Sequence, residues 1–88
     1  MQRRVLIVDN EAATCELIER TVNVAGMNAL VLSNSSQAAR ALSGAKFDLV
    51  FLNFHMSGPD GVELARQVRQ TRSNRTTPVI LISGCREF

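Results

Sequence analysis

The sequence has no tryptophan or tyrosine, and phenylalanine supplies all four of its aromatic residues. It has only two cysteines, Cys15 and Cys85, and their spacing fits neither a disulfide framework nor a metal cluster. No apolar run approaches the ~20 residues that a membrane-spanning helix needs, and no signal peptide follows Arg3 and Arg4. We therefore expect a protein of the reducing cytoplasm without a membrane partner, with Cys15 in the core and Cys85 as a free thiol.

The remaining composition is typical of one small globular domain. The chain has 88 residues, of which 45% are hydrophobic and 20% charged, and its net charge is +2. We expect a single domain over residues 1–88. Arg66, Arg69, Arg72 and Arg75 recur every three residues, which on a helix forms a slowly drifting basic stripe. Such a stripe is ordinarily a solvated helix face, and a nucleic-acid surface is the alternative.

Continuous apolar runs predict the strands. They run from Val5 to Val8, from Phe47 to Leu52 and from Pro78 to Ile82, with a weaker candidate from Asn28 to Ser33. None of the three main runs alternates polar with apolar residues, which favours parallel strands covered on both faces.

Helical patterns lie between these runs. Gly26 ends the first helix, Ser35 or Ser36 is able to cap the second, and Asp60 with Glu63 forms a capping box for the third. The resulting β-α-β-α-β-α-β order predicts a parallel α/β sheet. The predicted helices run from Glu11 to Ala25, from Ser35 to Ala45 and from Gly61 to Arg72.

Polar residues follow three of the predicted strands, where open α/β sheets bind their ligands. Asp9 and Asn10 follow the first strand, Asn53 and His55 the third, and Ser83 the fourth. We expect these residues to share one edge of the sheet. Each also has a simpler interpretation: Asp9 or Asn10 caps a helix, Asn53 satisfies loop amides, His55 is exposed, and Ser83 ends a strand.

Three segments together resemble the receiver domain of bacterial two-component response regulators. They are VLIVDNE at Val5 to Glu11, DLVFLNFHMSGPDG at Asp48 to Gly61, and PVILISG at Pro78 to Gly84. The resemblance covers nearly the whole chain. It implies a flavodoxin-like fold in which an aspartate at the end of the third strand accepts a phosphoryl group, with Mg²⁺ held by an acidic pair after the first strand.

The chain departs from this pattern at the residues that carry the chemistry. Asn53 stands at the phospho-acceptor position, and Asn10 replaces the second member of the acidic pair. Asp9 keeps the first place, His55 would offer only its backbone carbonyl, and Ser83 keeps the hydroxyl position. An amide oxygen is not an anionic nucleophile, so we expect no catalytic residue, no enzymatic activity and lost or weak Mg²⁺ binding.

The resemblance also implies a fourth helix, a fifth strand with a lysine, and a fifth helix, for which the sequence up to Phe88 has no counterpart. We therefore expect a doubly wound sheet truncated to about four strands and three helices, in the order 2-1-3-4. The fourth strand would then be an exposed edge, and exposed apolar edges favour association. The predicted interface consists of Val79, Ile80, Leu81 and Ile82.

These expectations converge on a non-phosphorylatable pseudo-receiver that acts as an interaction or dimerisation module. A second copy pairing at the fourth strand is the expected partner, and a downstream domain is the other candidate. One alternative is a working phospho-accepting receiver in which Asn53 is an engineered replacement for aspartate. The other is a nucleic-acid-binding module, which the sequence disfavours because no aromatic residue interleaves with the arginines.

Overall fold

The computed structural model describes residues 2–53 and 61–82. Within them, strands and helices alternate strictly, which confirms the predicted order. The elements are β1 (Arg4–Val8), α1 (Ala12–Val24), β2 (Asn28–Leu32), α2 (Ser35–Gly44), β3 (Leu49–Asn53), α3 (Gly61–Gln70) and β4 (Val79–Ile82).

The four strands form one parallel sheet in the order β2-β1-β3-β4, as predicted for a flavodoxin-like, doubly wound fold. Val8, at the end of β1, lies opposite Leu32 of β2 and Leu52 of β3. Asn53 is paired with Ile82 of β4. This register brings the carboxyl ends of the central strands to the same edge of the sheet.

Two apolar cores cover the two faces of the sheet. On one face, Leu6 and Val8 of β1 pack with Leu42 of α2 and with Leu64 and Val68 of α3. On the other face, Val5 and Ile7 pack against Cys15 and Val22 of α1. Because successive residues of β1 point to opposite faces and both faces are buried, its sequence is apolar throughout.

Local contacts at the helix ends confirm one expectation and correct another. Gly26 follows α1 with φ at 85°, the left-handed conformation expected of a glycine after a helix. The cap of α2 is Asn34 rather than Ser35 or Ser36, since its side chain accepts hydrogen bonds from the backbone N–H groups of Ser36 and Gln37. Ser35 is instead the first residue of the helix.

The third helix ends at Gln70, two residues before the predicted end at Arg72. The Thr71 hydroxyl donates to the carbonyl of Val68, and the backbone N–H of Asn74 donates to the Thr71 hydroxyl, so a turn replaces further helix. The predicted helical stripe of four arginines is therefore wrong, since Arg72 and Arg75 lie in the connection to β4. Asp60, half of the predicted capping box, lies outside the described residues.

The connection between α3 and β4 is more buried than its polar sequence predicts. Asn74 is fully buried, its amide donates to the carbonyls of Leu42 and Ala45, and its oxygen accepts from the N–H of Phe47. Thr77 is also buried, with its hydroxyl within hydrogen-bond distance of the Phe47 carbonyl and of the Asn74 oxygen. This Asn74 network joins the end of α2, the start of β3 and the approach to β4.

The fourth strand is an edge of the sheet in the described part of the chain. Ile80 and Leu81 remain 45% and 43% exposed, whereas Val79 and Ile82 are half-buried. Val79 packs against the core of α2 and α3. Among the described helices, none is long and apolar enough to cross a membrane.

We predict that Asn74→Ala lowers the free energy of unfolding by about 3 kcal/mol, because it leaves one N–H and two carbonyls without their partner. Urea denaturation followed by circular dichroism measures this loss. The exposed Asn23→Ala on α1 serves as the control and should change stability by about 0.5 kcal/mol or less. Equal effects of the two substitutions would contradict a structural role for the Asn74 network.

Candidate functional site

Asp9 occupies the centre of the carboxyl edge of the sheet. Its backbone N–H donates to the carbonyl of Leu32, which fixes the end of β1 against β2. Its side chain turns back over the chain, and Oδ1 accepts a hydrogen bond of 2.9 Å from the backbone N–H of Glu11. Asp9 is thereby held in one orientation and is only 3% exposed.

Asn53, the last residue of β3, contacts Asp9 directly. Its Nδ2 donates to Asp9 Oδ1 over 2.7 Å, and the residue is 7% exposed. A carboxylate only accepts hydrogen bonds, so the nitrogen of the amide, not its oxygen, must face Asp9. The sequence placed these two residues at one edge but did not predict this bond.

The contact between Asn53 and Asp9 is attractive, whereas an aspartate at position 53 would make it repulsive. Two carboxylates at this distance would repel each other and would need a cation between them. The amide supplies a partially positive N–H group without a net charge, and a buried hydrogen bond to a charged group is stronger than one between neutral groups. The described geometry therefore satisfies Asp9 Oδ1 with protein groups alone, through Glu11 and Asn53.

The first helix begins without the predicted side-chain cap. Its N-cap residue is Glu11, whose side chain makes no capping hydrogen bond, and Asn10 is exposed. The prediction that Asp9 or Asn10 caps the helix is therefore wrong. Asp9 bonds the N–H of Glu11, which precedes the helix, because its carboxylate also faces Asn53.

Cys15 lies beneath this site, in the core as predicted. Its thiol donates to the backbone carbonyl of Asp9 over 3.3 Å. Burial, followed by the negative charge of Asp9, raises the pKa of the Cys15 thiol. The thiol form is thus favoured, which fits a structural contact rather than a nucleophile.

A cavity of about 480 Å³ opens beside the site, between α1 and the end of β2. Asp9 and Asn10 reach its wall, whereas Asn53 does not. Its lining comprises Asp9, Asn10, Ala12, Cys15, Glu16, Glu19, Val31 and Ser33.

The structure brings together Asp9 and Asn53 and places Asn10 beside them. His55 and Ser83, which the sequence assigned to the same pocket, lie outside the described residues. Within residues 2–53 and 61–82, no three histidine, cysteine or acidic side chains are grouped to hold a metal ion. Asp9 is the one carboxylate of the predicted acidic pair, because asparagine stands at position 10.

A parallel sheet with a carboxylate after its first strand and a polar residue ending its third fits the class of α/β signalling domains that the sequence resembles. The family profile described as the response regulator receiver domain matches residues 5–87. The chain belongs to the receiver-domain family of two-component response regulators.

Curated relatives agree with this assignment. The chain is 32% identical over 82 residues to the phosphate regulon transcriptional regulatory protein PhoB of Pseudomonas aeruginosa, covering 93% of this chain and 36% of that protein. It is 31% identical over 84 residues to the regulatory protein VirG of Agrobacterium tumefaciens, covering 96% of this chain and 30% of that protein. The chain thus spans about a third of the length of these curated relatives.

Solved structures share the fold. A CheY-like receiver domain from Methylobacillus flagellatus superposes with a TM-score of 0.87 at 24% identity, covering 97% of this chain and 72% of that one. The receiver domain of the sensor histidine kinase PA1611 from Pseudomonas aeruginosa gives 0.85 at 20% identity, covering 92% and 66%. That structure has a magnesium ion coordinated in its active-site cleft.

We predict that Asn53→Asp destabilises the fold at neutral pH by about 2 kcal/mol, because two carboxylates would then face each other in a buried site. The like charge would raise the pKa of the introduced carboxyl group above its value in the unfolded chain. The deficit relative to the native sequence is therefore present at neutral pH and shrinks as the pH falls to about 4, where that group is protonated. Urea titrations at several pH values measure it.

Asn53→Ala is the control for this pH dependence, since it removes the same hydrogen bond without adding a charge. If the loss of stability were independent of pH in both variants, positions 9 and 53 would not face each other as described.

Proposed function

We propose that this chain is a receiver domain that acts by protein contact alone, without accepting a phosphoryl group. The hydrogen bond from Asn53 Nδ2 to Asp9 Oδ1 is the observation that carries this proposal. This bond, together with the one from the Glu11 N–H, supplies hydrogen-bond donors to Asp9 Oδ1 without a phosphoryl group or a cation.

The chemistry of the amide supports the same conclusion. Phosphoryl transfer to a receiver requires an oxygen nucleophile, and a neutral amide oxygen is a poor one. The Asn53 nitrogen is also the atom directed at Asp9, and its lone pair is delocalised into the carbonyl group. In this proposal the domain binds partners and catalyses nothing.

The described residues do not fit a Mg²⁺ site. Magnesium prefers octahedral oxygen ligands with anionic character, and among positions 9, 10 and 53 only Asp9 carries a carboxylate. Its Oδ1 already accepts two hydrogen bonds, from Glu11 and Asn53. We therefore propose that Mg²⁺ binding is weak or lost.

Incubation with Mg²⁺ and a small phosphodonor, followed by intact-mass measurement, tests this proposal. The native sequence should show no added phosphoryl group, because position 53 has no carboxylate. The double substitution Asn10→Asp and Asn53→Asp restores both acidic positions, and Mg²⁺ should raise its melting temperature more than that of the native sequence.

A stable gain of one phosphoryl group by the native sequence would overturn the proposal and revive the alternative of a phospho-accepting receiver. An equal rise in melting temperature with Mg²⁺ in both chains would contradict the loss of the metal site.

We further propose that β4 supplies the contact surface, with a second copy of the chain as partner. Ile80 and Leu81 are exposed on a strand that is an edge in the described part of the sheet. Two such edges pairing antiparallel about a two-fold axis would satisfy each other's backbone groups and cover the apolar side chains of both copies.

Sedimentation velocity at micromolar concentration measures this association. The native chain should sediment as a dimer, and Ile80→Lys should shift it to monomer, because a charged edge residue opposes strand pairing. Leu17→Lys on α1 is the matched control, since it replaces another exposed apolar side chain and should leave the dimer intact. A folded monomer for the native chain would contradict self-association.

A further inference from the structure

The basic residues of the fold collect at the edge of the sheet where the strands begin, opposite the Asp9 site. Arg4 begins β1, Lys46 precedes β3, and Arg72 and Arg75 lie between α3 and β4. Asp48 is the one described carboxylate on the connections at this edge, and it accepts a hydrogen bond from the Arg4 backbone N–H. We name the following residues the basic edge: Arg3, Arg4, Lys46, Arg69, Arg72 and Arg75, all of them exposed.

Side-chain contacts join the segments of the basic edge. The Arg4 guanidinium lies 5.0 Å from the centroid of the Phe47 ring, a cation–π distance. Lys46 Nζ lies 3.4 Å from the Thr77 hydroxyl, and Arg69 Nη1 donates to the carbonyls of Arg75 and Thr77. The buried Asn74 network lies beneath these contacts, so cations from three segments are held on one rigid base.

Within residues 2–53 and 61–82, no side-chain ion pair joins these cations to a carboxylate. The ion pairs among the described residues are Arg20 with Glu16 on α1 and Arg66 with Glu63 on α3, both away from the basic edge. Helix-end stabilisation explains only part of the set, because Arg69 is the one basic residue in a last turn of the three helices. In the described part of the chain, the basic edge is therefore a cationic surface whose six cations are opposed by the single carboxylate of Asp48.

A small cavity with an apolar wall opens beside these cations. It encloses about 190 Å³ between β1 and β2, and Arg4 lies at its side. Leu30, which is 41% exposed, and Ala29 supply apolar wall, and Asn28 adds an amide. A cationic surface next to an apolar cavity is complementary to a bound polypeptide segment that carries carboxylates and one apolar side chain.

We propose that the basic edge docks an acidic polypeptide segment, with one apolar side chain of that segment in the cavity beside Arg4. The basic edge is separate from Asp9, Asn53 and β4, so this docking is independent of the proposed function. Guanidinium groups, which supply five of the six cations, bind carboxylates in a two-pronged geometry.

The same surface fits nucleic acid less well. Single strands are held by stacking on exposed aromatic rings, and the aromatic ring at this edge, Phe47, is buried. Duplex backbones offer phosphates but no apolar group for the cavity lined by Leu30.

Fluorescence anisotropy of the full chain with a labelled glutamate-rich peptide that carries one leucine tests the proposal. We expect saturable binding that weakens as salt screens the charges, and weaker binding of the same peptide with serine in place of leucine. The double substitution Arg72→Ala and Arg75→Ala should weaken binding about fivefold or more, since it removes two exposed cations. The backbone carbonyl of Arg75, which accepts a hydrogen bond from Arg69, is unchanged by the substitution.

Arg20→Ala with Arg66→Ala is the matched control, because it removes the same charge from arginines already paired with glutamate. It should change the affinity less than twofold. No peptide binding, equal losses in the two double variants, or tighter binding of duplex DNA or of anionic phospholipid vesicles than of the peptide would overturn the proposal. Circular dichroism of each variant establishes that it is folded.

Discussion

The hydrogen bond between Asn53 and Asp9 is the constraint on which the functional edge of this receiver domain depends. Asp9 follows β1 directly and carries a buried negative charge, and β3 delivers the compensating N–H group from its last residue. The bond spans 44 positions in the sequence and ties together the two central strands at their carboxyl ends. An aspartate at position 53 would instead face Asp9 with a second negative charge, so the choice of side chain at this position sets both the charge of the site and the attraction between the two strand ends.

The carboxyl ends and the amino ends of the strands accommodate charged residues in different ways. At the carboxyl edge, the Asp9 carboxylate accepts hydrogen bonds from uncharged protein groups, the amide of Asn53 and the backbone N–H of Glu11. At the opposite edge, the buried Asn74 network is formed among neutral groups, and the cationic residues around it are exposed. In the described residues, every buried side-chain nitrogen or oxygen has a hydrogen-bond partner. The two edges therefore differ in the charges they carry, and not in how well their buried polar groups are hydrogen-bonded.

Much of the fold follows from the sequence because its strands are apolar on both faces and its helices carry one apolar stripe. Residues such as Ile7 and Val50 are apolar because the sheet is parallel and covered on both faces, so the order of elements along the chain was predictable from the sequence. The strand order 2-1-3-4 came instead from the resemblance to receiver domains, and the structure confirms it. The position of Asn53 at the site was predictable for the same reason. Its partner atom was not, because an isolated asparagine offers both a donor and an acceptor.

What the sequence could not supply were the polar contacts between distant segments. Asn74 and Thr77 stand in a run of polar residues that is typical of an exposed loop, yet both are buried. Their partners, Leu42, Ala45 and Phe47, lie some 30 positions earlier, as in the Thr77–Phe47 contact with a separation of 30. The cap of α2 is Asn34, one residue before the predicted Ser35, and helix propensities do not resolve a boundary to one residue.

The parallel arrangement of the strands also has a mechanical consequence. Arg4 lies at the amino end of β1 and Ile82 at the carboxyl end of β4, and β3 is hydrogen-bonded between these two strands. A force that stretched the molecule between these two points would run along the strands and load the bonds between them in shear, all at once. Such a domain would yield abruptly under tension, rather than unzipping one bond after another as a hairpin pulled at its open end does.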